Sequence, residues 1–295
     1  MPETPTLLTK EQCPQSSDDR AEMEAFDFRA RADRALFPLT CCRPDIVLTM
    51  MMVLQFTHNP DVPHTRAILK RVMRHVAHYC GKPPLIHGSR YYMTTLGAAF
   101  DCDDANIPEH CRSLKYVLYF PGQHFASADS KLIIDQAAPF GWSTCTQQWT
   151  LLVAENSCVS ELYAIAVALR KIKCFRPFLS ELASRVEALR GLEQTGATPI
   201  LSDCESAVII AEGPHPVRYK GTKHLEHHYF SVQQAVLLGI AEMRRCASQL
   251  NVADIGCTFK DMGNFLQQRL VLMQNEFLPP SRAFKVEHQA KRGLE

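Results

Sequence analysis

Four carboxylates in this chain stand where an uncompensated charge is costly. Asp101 follows the apolar run Leu96-Gly-Ala-Ala-Phe100, with Asp103 and Asp104 just beyond it. Acids gathered at a strand end repel one another unless solvent or a cation relieves them. Glu161 lies in the otherwise apolar stretch Ser160-Glu-Leu-Tyr-Ala-Ile-Ala-Val-Ala-Leu169. At about 100° per residue it falls within roughly 40° of Ile165 and Ile172, on the border of the buried stripe. Asp203 closes the run Pro199-Ile-Leu-Ser202, and Asp254 sits among small and apolar neighbours in Asn251-Val-Ala-Asp-Ile255. Carboxylates carried by several elements to one end of a sheet are what a pair of Mg²⁺ ions needs, and two such ions clamp the attacking water and the leaving oxygen of in-line phosphodiester cleavage. Each acid also has an ordinary use. Asp203 and Asp254 suit helix caps or turns, Glu161 a boundary charge and Asp101 a loop acid.

A second group is basic. Arg218, Lys220, Lys223 and His224 precede His227 and His228 at the start of an expected helix. They read either as a phosphate-gripping patch or as a solvated helix start. His224 and His228 have the i,i+4 spacing of zinc ligands, but His-Leu-Glu-His-His is not the HExxH arrangement. Asp103-Asp104 is not a polymerase palm motif either, because the position two before the pair holds Asp101 where an aromatic residue is needed.

The elements that position these residues are legible in outline. Residues 1–35 are polar and acidic and read as a loosely ordered lead-in, with helical character near Ala21–Ala35. Pro63 opens a helix through Tyr79, with Ile68, Val72, Val76 and Tyr79 on one stripe and Arg66, Lys70, Arg71, Arg74 and His78 on a basic face expected to be solvated. Thr95–Phe100, Lys115–Phe120, Gln148–Ala154, Pro199–Leu201 and Ile240–Cys246 read as strands. Ser157 to about Leu189 reads as a helix broken near Pro177, followed by helices over Thr222–Leu238 and Asn264–Gln274. Strands followed by alternating helices and strands predict an α/β fold, a mixed sheet covered by helices.

Composition narrows the class without naming it. The 295 residues carry 32 Lys+Arg against 31 Asp+Glu, so no global charge draws the chain to a polyanion, and any such partner needs a local patch. Hydrophobic content of 46% and charged content of 21% belong to a globular chain. The 12 cysteines include no C-x-x-C pair, which excludes a zinc ribbon and a small secreted disulfide framework. The longest apolar stretch, Ile46–Phe56, is too short to span a bilayer, and no signal peptide is visible. The expectation is an intracellular protein of cytoplasm or nucleus with reduced thiols, no membrane partner and no small-molecule cofactor.

Eight segments in order resemble the C-terminal part of the Pol polyprotein of copia-type retrotransposons, where the reverse transcriptase tail leads into ribonuclease H. Cys42-Arg-Pro-Asp-Ile46 resembles TRPDI, and Gln55-Phe with Pro60, His64, Ala67 and Lys70-Arg-Val-Met-Arg74 resembles the SRF…P…H…A.KR.LRYL stretch. Phe100-Asp-Cys-Asp-Asp-Ala105 resembles SDADWA, and Arg112–Gly122 resembles RSTSGYVFFLGG. Val153–Ala164 resembles VALSSTEAEYIA, Asp203-Cys-Glu-Ser-Ala207 resembles DNQSA and Thr222-Lys-His-Leu-Glu226 resembles TKHID. Asn251–Ile255 with Phe265 eleven positions after Asp254 resembles the ADIFTK…F ending.

The resemblance implies a ribonuclease H-like mixed five-stranded sheet flanked by helices at about residues 90–275. A reverse transcriptase remnant would occupy 36–89, and a tail 276–295. It implies that Asp101, Glu161, Asp203 and Asp254 are catalytic and hold two Mg²⁺ ions for hydrolysis of the RNA strand of RNA–DNA hybrids. The chain departs from the pattern at Asp104, Cys257-Thr258 and Ser157-Cys-Val-Ser160, and carries about a dozen extra residues near 126–137. The rival expectation is therefore a decayed or domesticated element fragment that binds nucleic acid without catalysis.

Overall fold

The computed structural model describes residues 13–57, 59, 62–78, 96–103, 114–121, 141–146, 157–213, 226–248 and 251–273. Its centre is a mixed sheet of β1 (Leu96–Cys102), β2 (Leu114–Pro121), β3 (Gly141–Thr146), β4 (Thr198–Ser202) and β5 (Ala241–Arg245), in the order β3-β2-β1-β4-β5. β1 pairs antiparallel with β2, and β2 with β3, whereas β4 runs parallel to both β1 and β5.

Period-two alternation divides the strand residues between two cores. Leu96, Ala98, Phe100, Val117, Tyr119, Ile200, Ala241 and Met243 pack on one side with α5 (Ser157–Arg185), α6 (Glu205–Glu212) and α7 (Glu226–Leu237). Ala99, Tyr116, Leu118, Phe120 and Leu201 pack on the other with α1 (Ser17–Phe26), α2 (Phe28–Cys41), α3 (Val47–Leu54), α4 (Val62–His78) and α8 (Met262–Met273). Helices on both faces explain why β1 reads as a continuous apolar run.

Residues 17–41 form two helices, α1 and α2, extending the helical character expected near Ala21–Ala35. Ser16 caps α1 by accepting from the Asp19 N–H at 3.1 Å, with Asp18 and Asp19 in the first turn. Asp27, at φ 51°, turns the chain between α1 and α2. Met23, Phe26, Phe28, Ala32, Ala35 and Leu39 are buried in the same core as α4. Sparse apolar residues at helical spacing were sufficient because the sheet's second face needed a cover. On α4, Ile68 and Val72 are buried, Val76 is half-buried and Lys70, Arg71, Arg74 and His78 are exposed, as their spacing predicts. Leu69, off the expected stripe, is buried as well, Tyr79 lies outside the described residues, and Arg66 is half-buried over the Phe26 ring and paired with Glu22 rather than solvated.

The other differences are local. α5 runs unbroken through Pro177, which lies on an exposed turn where the missing N–H leaves a carbonyl open to water. Arg176 binds the carbonyls of Gln194 and Gly196 and the Thr198 hydroxyl at 2.7–2.9 Å, fixing α5 against the entry to β4. β3 was not anticipated, and the strand expected at 148–154 lies outside the described residues, as do 222–225 of the helix expected from Thr222. No described helix is long and apolar enough to cross a membrane. The described cysteines form no disulfide.

A candidate metal centre

Parallel pairing of β1 with β4 sets the geometry. Ala98 aligns with Ile200 and Ala99 with Leu201, so the same offset sets Asp101 beside Asp203 at the C-terminal ends of the two strands. Glu161 reaches this end from the first turns of α5. One carboxylate oxygen from each of Asp101, Glu161 and Asp203 lies within 4.8 Å of the others. These are oxygen donors of the kind that suit a hard divalent cation such as Mg²⁺.

The electrostatics match an incomplete charge balance. Burial, and then the charges of Asp254 and Asp203, raise the Asp101 carboxyl well above its ordinary range. Burial, Asp101, the Cys204 thiol and Asp203 push Glu161 up to about 10. Glu161 is 7% exposed, and its Oε2 has no hydrogen-bond partner among the described residues. A buried carboxylate oxygen is normally satisfied, so an unpartnered one on a residue clustered with two other acids fits a cation at that place.

Asp254 is close to this group electrostatically but not part of it. It lies in the 3-10 turn Val252–Gly256 and forms an ion pair with Lys260. Asp103 has a different task. Its carboxylate accepts from the Leu114 N–H at 2.5 Å and its own N–H donates to the Leu114 carbonyl at 3.0 Å, closing the end of the β1–β2 pair. Arg218, Lys220, Lys223 and His224 lie outside the described residues, as does the 126–137 segment.

Three further residues serve the centre. The fully buried Asn251 donates through Nδ2 to the Phe100 carbonyl at 2.9 Å, to Asp203 Oδ1 at 3.2 Å and to Asp101 Oδ1 at 3.5 Å. Its Oδ1 accepts from the Ala253 N–H at 3.2 Å, capping the turn that carries Asp254. A polar residue three before Asp254 in an otherwise small and apolar run was the available signal. Lys115, 2% exposed, faces the α5 side of β2, with its ammonium 4.8 Å from the centroid of the Tyr163 ring. It stands opposite Cys102 in the β1–β2 register, and its charge opposes the rise at Glu161. Nothing in its sequence context marked it. Ser248 donates to the outer oxygen of Asp203.

Fold and site thus define a mixed α/β protein with a three-carboxylate centre at the C-terminal ends of neighbouring parallel strands. No known protein-family profile matches the chain. It is similar to the retrovirus-related Pol polyprotein from transposon TNT 1-94 of Nicotiana tabacum, 21% identical over 254 residues, which are 84% of this chain and 16% of that protein. That similarity relates the chain to a retrotransposon Pol polyprotein, of which it spans a small part.

Proposed function

We propose that the chain is a retrotransposon-derived ribonuclease H-like protein that hydrolyses the RNA strand of RNA–DNA hybrids with Mg²⁺. The observation that carries this reading is the convergence of Asp101, Glu161 and Asp203 from three separate elements, with their oxygens within 4.8 Å. The sheet, three antiparallel-paired strands extended by two parallel ones, is compatible with that fold. Similarity to a transposon Pol polyprotein supports a nucleic-acid substrate.

The chain's own groups then divide the work. Asp101, Glu161 and Asp203 hold the cation. Asn251 fixes the spacing of the two aspartates by bonding to both. Ser248 keeps the outer oxygen of Asp203 turned away from free rotation. A bound Mg²⁺ supplies Lewis-acid stabilisation of the charge that develops at the phosphate. Arg218, Lys220, Lys223 and His224 are proposed to grip the backbone of the hybrid, giving the local attraction that a net charge of +1 does not.

The test is cleavage of a labelled RNA–DNA hybrid with Mg²⁺ by the wild-type chain and by Glu161→Gln, with single-stranded RNA and duplex DNA as controls. Hybrid-specific cleavage lost in Glu161→Gln is the expected result. Absence of Mg²⁺-dependent cleavage by the wild type sinks the enzyme reading. A second reading, an element-derived fragment that binds nucleic acid without cutting it, is favoured by one observation: the ion pair to Lys260 already engages Asp254. Retained hybrid binding without cleavage supports that alternative.

A further inference from the structure

We propose that the centre takes one divalent cation, and that the Lys260 ammonium supplies at Asp254 the positive charge a second cation would bring. This inference rests on the metal reading above and sets its stoichiometry.

The sequence leads to the opposite expectation, because four acids at one sheet end suit two ions. Folding separates them into three and one. Asp101, Glu161 and Asp203 each bring a carboxylate oxygen within 4.8 Å of the others, and Glu161 also carries a buried Oε2 with no hydrogen-bond partner among the described residues. Asp254 turns instead to Lys260, and the chain between them is built to hold that pairing. The Asp254 carbonyl accepts from the Cys257 N–H at 3.1 Å and the Thr258 N–H at 2.9 Å, so the backbone doubles back immediately after the acid. Phe259 packs beside Leu48, Met52 and Leu114, anchoring the residue that precedes the lysine. The paired side chains are only 14% exposed at Asp254 and 20% at Lys260.

At that burial the pair is held, unlike a freely solvated surface bridge. An ammonium is a compact charge, and a divalent ion reaching the same carboxylate would meet it at close range in a low-dielectric setting. The Lys260 charge also acts on Asp101, opposing the rise that burial and the other acids impose there. A fixed ammonium thus acts on both Asp254 and Asp101.

The experiment counts bound Mn²⁺ on the full chain at neutral pH from the loss of free-ion paramagnetic resonance signal. Wild type should bind one ion, and Glu161→Gln none. Lys260→Met should bind two, with the second site at least tenfold tighter than any weak binding by the wild type. Lys260→Arg and Asp254→Asn should each bind one, Asp254→Asn with affinity within about threefold of wild type. Two ions on the wild type, or one on a Lys260→Met chain that remains folded by circular dichroism, overturns the inference while leaving the metal centre standing. No ion on wild type or on any variant overturns the metal reading itself, and this inference with it.

Discussion

Arg269 Nε lies 2.9 Å from Oδ2 of Asp45, joining residues 224 positions apart. The same carboxylate accepts from Arg43 through Nε at 2.8 Å and Nη2 at 2.6 Å, and lies 3.0 Å from His75 Nε2. Asp45 therefore ties the turn before α3 to α4 and α8. Burial opposes its ionisation, but hydrogen bonds from Arg43 and His75 and their charges outweigh that, holding the carboxyl well below its usual range. Asp45→Ala leaves buried guanidinium groups uncompensated and should destabilise the fold by about 3–5 kcal/mol, measured by denaturant unfolding. A loss below about 1 kcal/mol contradicts this account.

Acid should act through the same group. A depressed folded value contributes stability that is complete above the unfolded value, near 3.9 for an aspartate, and is lost as pH falls below it. His75, pushed down mainly by burial, loses stability as pH falls below about 6.5, its unfolded value. Wild-type unfolding midpoints should therefore decline below about pH 6 and more steeply below about pH 4, whereas Asp45→Asn should lack much of the second step. Parallel pH profiles for the two proteins would be the contrary result.

At the carboxylate centre the sign is reversed. Asp101 and Glu161 have raised folded values, so folding takes up protons and the metal-free stability they contribute falls as pH rises from about 4, the unfolded range, toward about 10 at Glu161. Cation binding must release those protons. Titrating Mg²⁺ calorimetrically in buffers of different ionisation enthalpy should show proton release at pH 7, with affinity rising with pH. Glu161→Gln mimics the protonated acid and should change metal-free stability at pH 7 by no more than about 1 kcal/mol. Binding without proton release argues against the burial and repulsion described here.

Asn251→Ala removes three donor contacts and a turn cap, leaving the Phe100 carbonyl and both aspartates short of a partner. Loss of a buried network of this kind should cost about 2–4 kcal/mol. It should also weaken cation binding, because Asp101 and Asp203 lose their common reference. Asn251→Asp adds a fourth charge and should lower metal-free stability further at high pH than at low pH. Thermal melts at two pH values check both statements.

Gly256 lies against the ring of the buried Tyr116, and a Cβ there would collide with it. Gly256→Ala should therefore destabilise by about 1–3 kcal/mol through overpacking. A neutral substitution, measured by thermal unfolding, contradicts that packing.

What could be read in advance followed periodicity. The stripe of α4 and the run of β1 were visible because helix and strand periods bury them in known ways. Asp101, Glu161 and Asp203 were recognisable as acids in apolar settings. Asn251 was marked only by being polar in an otherwise small and apolar run, which does not tell what it bonds, and Lys115 was not marked at all, since a buried ammonium carries no local pattern. The role of Asp103 was likewise hidden, because its partner Leu114 is eleven residues away in another strand.

The amino-acid order by itself determined an α/β chain, the carboxylates available to it and its kinship with a transposon Pol polyprotein, because propensity, alternation and motif order are local properties. Tertiary structure alone decided that three of the four acids meet, that the fourth turns to Lys260, and that residues 17–41 cover the sheet. Those outcomes depend on the β1–β4 register and on which elements compete for one charge or one apolar face, and such competition is resolved only when the chain is packed.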